Sequence, residues 1–282
     1  MDLTSVKTIK ALLEKYGAKP SKTMGQNFLI HAPTLNKIIE TANLGKEDTV
    51  LEIGPGMGIL TEALAKKAKK VIAIEKDAVM IKILKETLEG YDNVEIVRAD
   101  ALKTTNYSLP TTNYKVVANI PYYLTSPIIR KFLESKIQPE EMVLMVQKEV
   151  AQRICAAPPH MSILAVSVQF YATAKIVANV PKGCFWPAPN VDSAIIKITP
   201  NHRAPLVPVD DFFTVVKAGF LHPRKQLANN LSTALKKDLP AQAGKNQIHQ
   251  WLLANNIDPL RRAETLSIHD WVNLSLHLPD LN

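Results

Sequence analysis

Cysteine is scarce. Only Cys155 and Cys184 occur, so neither a disulfide framework nor a cysteine-based zinc cluster is expected, and a reducing cytosol is the expected setting. The seven histidines lack metal-ligand spacing, and no nucleophile elbow or Walker pattern is present, so no metal is expected. Long apolar runs are missing too. The first two dozen residues are interrupted by Lys7, Lys10, Lys15, Lys19 and Lys22, which excludes a signal-peptide core, and no membrane span is expected. There is no internal repeat and no low-complexity segment. Aromatics reach only 6% against 46% hydrophobic residues overall, an ordinary balance for an α/β protein.

The length of 282 residues suffices for one large domain and a small one without staples. A formal net charge of +8 points to a polyanionic partner. Residues 1–203 carry 26 Lys+Arg against 19 Asp+Glu, and residues 204–282 carry 8 against 7, so the excess lies in the first segment. A nucleic acid fits that excess better than an acidic metabolite. The proline-marked connector Pro200–Pro208 separates the two segments.

The apolar run Tyr114–Ala118 reads as a buried strand that delivers Asn119-Ile120-Pro121-Tyr122 to the carboxyl edge of an open sheet, where α/β folds bind ligands. These residues suit a grip on a flat base by its exocyclic amine. Asn119 offers an amide oxygen, and the Ile120 carbonyl is turned outward because a residue before proline avoids helical geometry. Tyr122 adds a face for stacking. Three further strands end in the same way. Thr49–Ile53 leads into Gly54-Pro55-Gly56-Met57-Gly58 and a helix over Ile59–Lys70; Val71–Ile74 ends in Glu75; Val94–Val97 leads to Asp100. Glycines between strand and helix let a ligand approach the backbone. Glu75 is spaced to accept from both ribose hydroxyls of a nucleoside, and Asp100 to accept from an adenine amine. Either acid alone is an ordinary solvated strand-end charge, and the tetrapeptide alone an ordinary turn. Four such strand ends together make a constellation. Ile59 stands where a dinucleotide fingerprint wants glycine, which makes a pyrophosphate cofactor the weaker guess.

Around this sheet, helices are expected over Leu3–Tyr16, with Gly17 as C-cap, and over His31–Ala42, Thr125–Ser135, Gln147–Ala156 and Met161–Tyr171. Glu141–Val146 reads as a fifth strand, with a closing strand pair at Lys175–Val180 and Ser193–Ile198. The loop Lys19–Leu29 ends in Gln26-Asn27-Phe28-Leu29, two amides with two apolar anchors, a composition suited to closing over a ligand. Phe185 opens a proline-stiffened loop, as a second stacking wall opposite Tyr122 or as core. Beyond the connector, short helices are expected over Asp210–Gly219, Gln226–Lys236, Asn246–Asn255 and Ile268–Leu276. Arg224 and Lys225 precede the second of these, where the helix dipole disfavours cations; a phosphate contact and an exposed structural turn are equal readings.

Taken together, Gln26–Leu29, Glu52–Gly58, the tetrapeptide, Gln147-Lys148-Glu149-Val150, Phe185-x-Pro-x-Pro-x-Val-x-Ser193 and the segment Phe220–Leu231 closely resemble the bacterial type of small-subunit ribosomal RNA adenine N6,N6-dimethyltransferase, over essentially the whole chain. The resemblance implies a Rossmann-like class I methyltransferase sheet with helices on both faces, over residues 1–203 with an N-terminal cap at 1–30, and a small all-helical domain at 204–282 that contacts RNA. It implies S-adenosylmethionine as cofactor, with Gln26, Asn27, Leu29, Gly54, Gly56, Glu75, Asp100, Ala101 and Asn119 in contact with it. Asn119, Ile120, Pro121 and Tyr122 would hold the target adenine with Phe185 on its other face, and Arg224 and Lys225 would touch RNA. The implied substrate is small-subunit ribosomal RNA, at two adjacent adenosines near its 3′ end, in an immature small ribosomal subunit; the implied state is a monomer acting in the cytoplasm. His222-Pro223-Arg224-Lys225 stands where family members commonly carry two arginines and a lysine. Two rival readings remain: a large-subunit ribosomal RNA methyltransferase of the antibiotic-resistance type, disfavoured by Phe220–Leu231, and a non-catalytic assembly or transcription factor, disfavoured by the intact motifs.

Overall fold

The computed structural model describes residues 1–21, 24–103, 113–202, 206–235 and 244–278. Lys22, Thr23 and Lys236, and the expected domain boundary at 203/204, lie outside these. By internal contacts the chain divides into one unit of Met1–Ala151 with Thr173–Pro200 and another of Gln152–Ala172 with Asn201–Asn282.

The first unit is built on a seven-stranded sheet. Its strands are β2 (Thr49–Ile53), β3 (Lys70–Glu75), β4 (Val94–Arg98), β5 (Tyr114–Asn119), β6 (Glu141–Gln147), β7 (Ala172–Val180) and β9 (Ser193–Pro200), in the order β4-β3-β2-β5-β6-β9-β7. The strands from β4 to β6 run parallel, and β9 joins β6 antiparallel. Apolar runs such as Val50-Leu51 and Val116-Val117-Ala118 are fully buried, as strands covered on both faces require. The order reverses between β2 and β5, so their carboxyl ends open the crevice in which such sheets bind ligands.

Helices α1 (Val6–Lys15), α2 (Ala32–Ala42), α3 (Ile59–Ala65), α4 (Ala78–Thr87) and α5 (Thr125–Leu133) belong to this unit. Helix α1 is capped by Tyr16, with the expected Gly17 just beyond it at a left-handed φ of +60°; His31, expected as the first residue of α2, is instead its cap, accepting from Thr34 N. Helix α3 stops at Ala65, short of the expected Lys70, because Lys70 already opens β3. Helix α4 was not expected; Asp77 caps it and Met80, Ile83 and Leu84 bury one face. A two-stranded ribbon was also not expected: β1 (Phe28–Leu29) pairs antiparallel with β8 (Phe185–Trp186), Leu29 opposite Phe185. Between β6 and β7, α6 (Lys148–Ile154) crosses the division between units.

The second unit contains α7 (Ile163–Gln169), α8 (Val209–Gly219), α9 (Leu227–Ala234), α10 (Gly244–Ala254) and α11 (Ile268–Leu276). Trp271, Phe212, Trp251 and Leu231 form its core. Sequence order places α7 with the sheet, but Ala165 and Val166 bury in this helical core and Phe170 stacks on Phe212 at 3.9 Å. Residues 152–172 therefore join the second unit. Among the described residues no helix is long and apolar enough to cross a membrane.

Candidate active site

A cavity of about 310 Å³ opens at the carboxyl ends of β2, β3 and β5, within the first unit. Every expected cofactor or adenine contact lines it: Gln26, Asn27 and Leu29 from the N-terminal loop, Gly54 and Gly56 after β2, Glu75 after β3, Asp100 and Ala101 after β4, Asn119 to Tyr122 after β5, and Phe185 from β8. Arg224 and Lys225 lie in the second unit, exposed in the turn before α9.

After β2 the backbone must turn back on itself. Gly56, at φ +59°, directs its N–H at Glu75 Oε2 (3.3 Å), while Glu75 Oε1 accepts from Lys76 N (2.7 Å) and Asp77 N (2.8 Å). Burial pushes the Glu75 carboxyl above its ordinary range, against these N–H groups, which favour the anion. Gly58 serves a different need. It caps α3 at φ +92°, and an added Cβ would stand 3.1 Å from Leu84 Cδ2, so this glycine allows α3 to approach α4 and is not spent on a ligand.

The tetrapeptide presents two open acceptors. Asn119 donates its Nδ2 to the Asn27 carbonyl (3.3 Å), which orients the amide, and among the described residues no donor reaches its Oδ1. Ile120 N continues the ladder to Met145 O (3.3 Å), and among the described residues no donor takes the Ile120 carbonyl. Pro121 packs against Gly25 and Gly54, where an added Cβ on either would lie 3.5 Å from the ring or its Cβ. The Tyr122 hydroxyl is fixed to the fully buried Ser193 Oγ at 2.7 Å, and burial raises its pKa. Phe185 packs in the core, as one of its two readings expects, and also lines the cavity. Gln26 lines the cavity with its amide already engaged: Oε1 accepts from Ser21 N and Nε2 donates to Asp77 Oδ2.

After β4, Asp100 Oδ1 accepts from Leu102 N (3.0 Å) and Oδ2 meets Lys76 Nζ (3.0 Å); the lysine holds the carboxyl below its ordinary range. Three polar residues were given no role by the sequence reading: Lys76, Lys131 of α5, whose Nζ donates to the Ala101 carbonyl (2.6 Å), and Glu52, named there only as part of a motif. Glu52 is the most unusual. It is 1% exposed, its Oε2 has no partner, and burial raises its pKa to about 8. The signal was present in the sequence as one acid inside the apolar strand Thr49–Ile53.

The donor set fits a positively charged nucleoside cofactor such as S-adenosylmethionine. Glu75 and Asp100 line the cavity from the ends of neighbouring strands, and the orphaned Glu52 oxygen supplies a buried acceptor for a cation.

The chain matches the family described as Ribosomal RNA adenine dimethylase over residues 17–276. It is 45% identical to a Ribosomal RNA small subunit methyltransferase A of Dehalococcoides mccartyi, over 95% of this chain and 91% of that protein. Among solved structures, it is similar to a dimethyladenosine transferase from Plasmodium falciparum (TM-score 0.77, 32% identity, 87% of this chain and 95% of that chain). It is also similar to the 23S rRNA methyltransferase ErmE (TM-score 0.70, 28% identity, 89% and 99%).

Proposed function

The chain belongs to the ribosomal RNA adenine dimethylase family, and on that footing we propose that it dimethylates adenosine N6 in small-subunit ribosomal RNA with S-adenosylmethionine as methyl donor. The observation that carries the reading is the pair of open acceptors, Asn119 Oδ1 and the Ile120 carbonyl, at the end of the central strand β5. The relative named for the small subunit is 45% identical against 28% for the large-subunit enzyme, which favours the small-subunit substrate.

When bound, the cofactor supplies an electrophilic methyl group on its sulfonium. Glu75, Asp100, Ala101 and the backbone at Gly54 and Gly56 hold its nucleoside, with Asn27, Leu29 and Glu52 along the remaining wall. The N6 lone pair of adenine is delocalised into the ring and is a poor nucleophile. By accepting both N–H bonds, Asn119 Oδ1 and the Ile120 carbonyl draw N6 toward tetrahedral geometry and stabilise the positive charge that develops there. Tyr122 and Phe185 hold the ring between them, and their faces favour that charge. The alignment they impose contributes the rest. The amine becomes acidic once it is alkylated, so the proton leaves without a strong base. Arg224 and Lys225 contact RNA phosphate.

Asn119→Ala tests the mechanism. Single-turnover transfer to undermethylated small subunits at saturating cofactor is expected to fall by about 10²–10³, the usual effect of removing one preorganised electrostatic group. Subunit affinity should persist, because it rests on distributed phosphate contacts. Mass spectrometry of the nucleosides reads the product as N6,N6-dimethyladenosine. A mutant rate within about threefold of wild type would make Asn119 a turn residue only.

A further inference from the structure

Tyr123 is 58% exposed and is the only exposed aromatic side chain among the described residues. Its position is not arbitrary. It follows the tetrapeptide directly, lines the same cavity, and lies beside Gly25, where an added Cβ would be 3.9 Å from Tyr123 Cδ1. Tyr122 and Tyr123 share one 3-10 turn, Tyr122–Leu124. Such a turn has about three residues per revolution, so consecutive side chains diverge by roughly a third of a circle and cannot serve the same base. Tyr122 is half-buried and tied by its hydroxyl to Ser193. Tyr123 makes no hydrogen bond and no ring contact among the described residues, so its ring face is not engaged by another ring of the fold.

We infer that Tyr123 is the platform on which the nucleotide adjoining the target adenosine stacks while that adenosine occupies the cavity. A base drawn out of an RNA stack uncovers the face of its neighbour, and the cost of that unstacking opposes entry. An aromatic ring at the mouth, one residue beyond the ring that holds the target, replaces the lost stack. Because every base has a π-face, the contact tolerates any neighbouring base and acts on how readily the target is delivered. The inference rests on the reading that the substrate is an RNA adenosine; it adds a second, external nucleobase subsite.

The test compares wild type, Tyr123→Ala and Tyr123→Phe on undermethylated small subunits, with S-adenosylmethionine affinity measured separately by calorimetry. Tyr123→Ala should lower kcat/KM for the subunit by about tenfold, the lower end of the loss of one base stack, with cofactor affinity unchanged. Tyr123→Phe keeps the ring and should restore the rate to within about twofold. With 2-aminopurine beside the target adenosine, binding of wild type should quench its fluorescence and binding of Tyr123→Ala should not. Equal kcat/KM for Tyr123→Ala and wild type would overturn the inference. So would a Phe variant as slow as the Ala variant, since the hydroxyl would then be the active group. Failure of wild type itself to form dimethyladenosine would instead overturn the reading of the substrate.

Discussion

Glu52 shows how one residue sets conflicting demands on fold and site. Its carboxyl is buried without a full set of partners, and its pKa is raised from 4.5 to about 8 in the folded chain. Between those values the folded state holds a proton that the unfolded state has released, so this group makes stability fall as pH rises through the window and level off above it. Glu52→Gln cannot ionise. Its apoprotein is expected to gain on wild type by a few kcal/mol between about pH 5.5 and about pH 8.5, measured as the change in the wild-type-to-mutant difference in urea unfolding. Any fixed cost of burying the amide is common to both pH values and cancels. A difference independent of pH would show that Glu52 does not change ionisation on folding. An unpaired acid on the cavity wall is a group that a cationic ligand would stabilise, and the same substitution should therefore weaken cofactor binding.

At the scale of elements, what the sequence made legible was the strand and its end. β2 was placed residue for residue, and Glu75 and Asn119 close their strands, with Asp100 two residues past β4, because apolar runs have sharp polar boundaries. Helix α4 carried equally plain signals in Asp77 and the Met80, Ile83, Leu84 spacing, yet was absent from the expected elements. The β1–β8 ribbon was not legible in principle. Two residues have no periodicity, and the pairing of Leu29 with Phe185 is fixed by the tertiary fold. Nor could the apolar face of α7 tell which core it would join. Lys131 was hidden for the same reason: in sequence it is one of two adjacent basic residues in α5, and only the fold sets it behind the loop after β4. Its ammonium is partly desolvated, which lowers its pKa, and it donates to the carbonyls of Ala101 and Leu102. Helix α5 begins three residues after Tyr122, so it follows the tetrapeptide directly while its Lys131 braces the loop after β4 that lines the same cavity. Lys131→Met should weaken S-adenosylmethionine roughly tenfold, as expected for losing hydrogen bonds from a charged donor, and weaken 5′-methylthioadenosine by the same factor. Calorimetry with both ligands checks this; a loss for the full cofactor alone would place the effect at the methionine end.

At the scale of the whole molecule, charge decides how RNA is held. Read by sequence segment, the excess of +7 at residues 1–203 against +1 beyond assigned the basic surface to the half with the cavity. The structural units change that. The first holds 24 Lys+Arg against 19 Asp+Glu and the second 10 against 7, because Arg153 and Arg203 fall in the second. Both units are basic, which suits a long polyanion better than a ligand confined to the cavity. Arg224 and Lys225 are the sharpest test. They are exposed and unpaired among the described residues, and they precede the N-terminus of α9, where the dipole makes cations unfavourable unless an anion joins them. Each cation set against a phosphate releases roughly one counterion on binding, so the logarithm of affinity falls linearly with the logarithm of salt, with a slope that counts contacts. Replacing both residues by alanine should reduce the magnitude of that slope for small subunits by roughly 1.5–2 and weaken binding. S-adenosylmethionine affinity should stay at the wild-type value at every salt concentration, because the site proposed for it is the cavity of the first unit. Subunit binding titrations over a salt series measure the slope directly. If the double mutant kept the wild-type slope, these cations would belong to an exposed structural turn, and the phosphates would be held by the other basic residues of the two units.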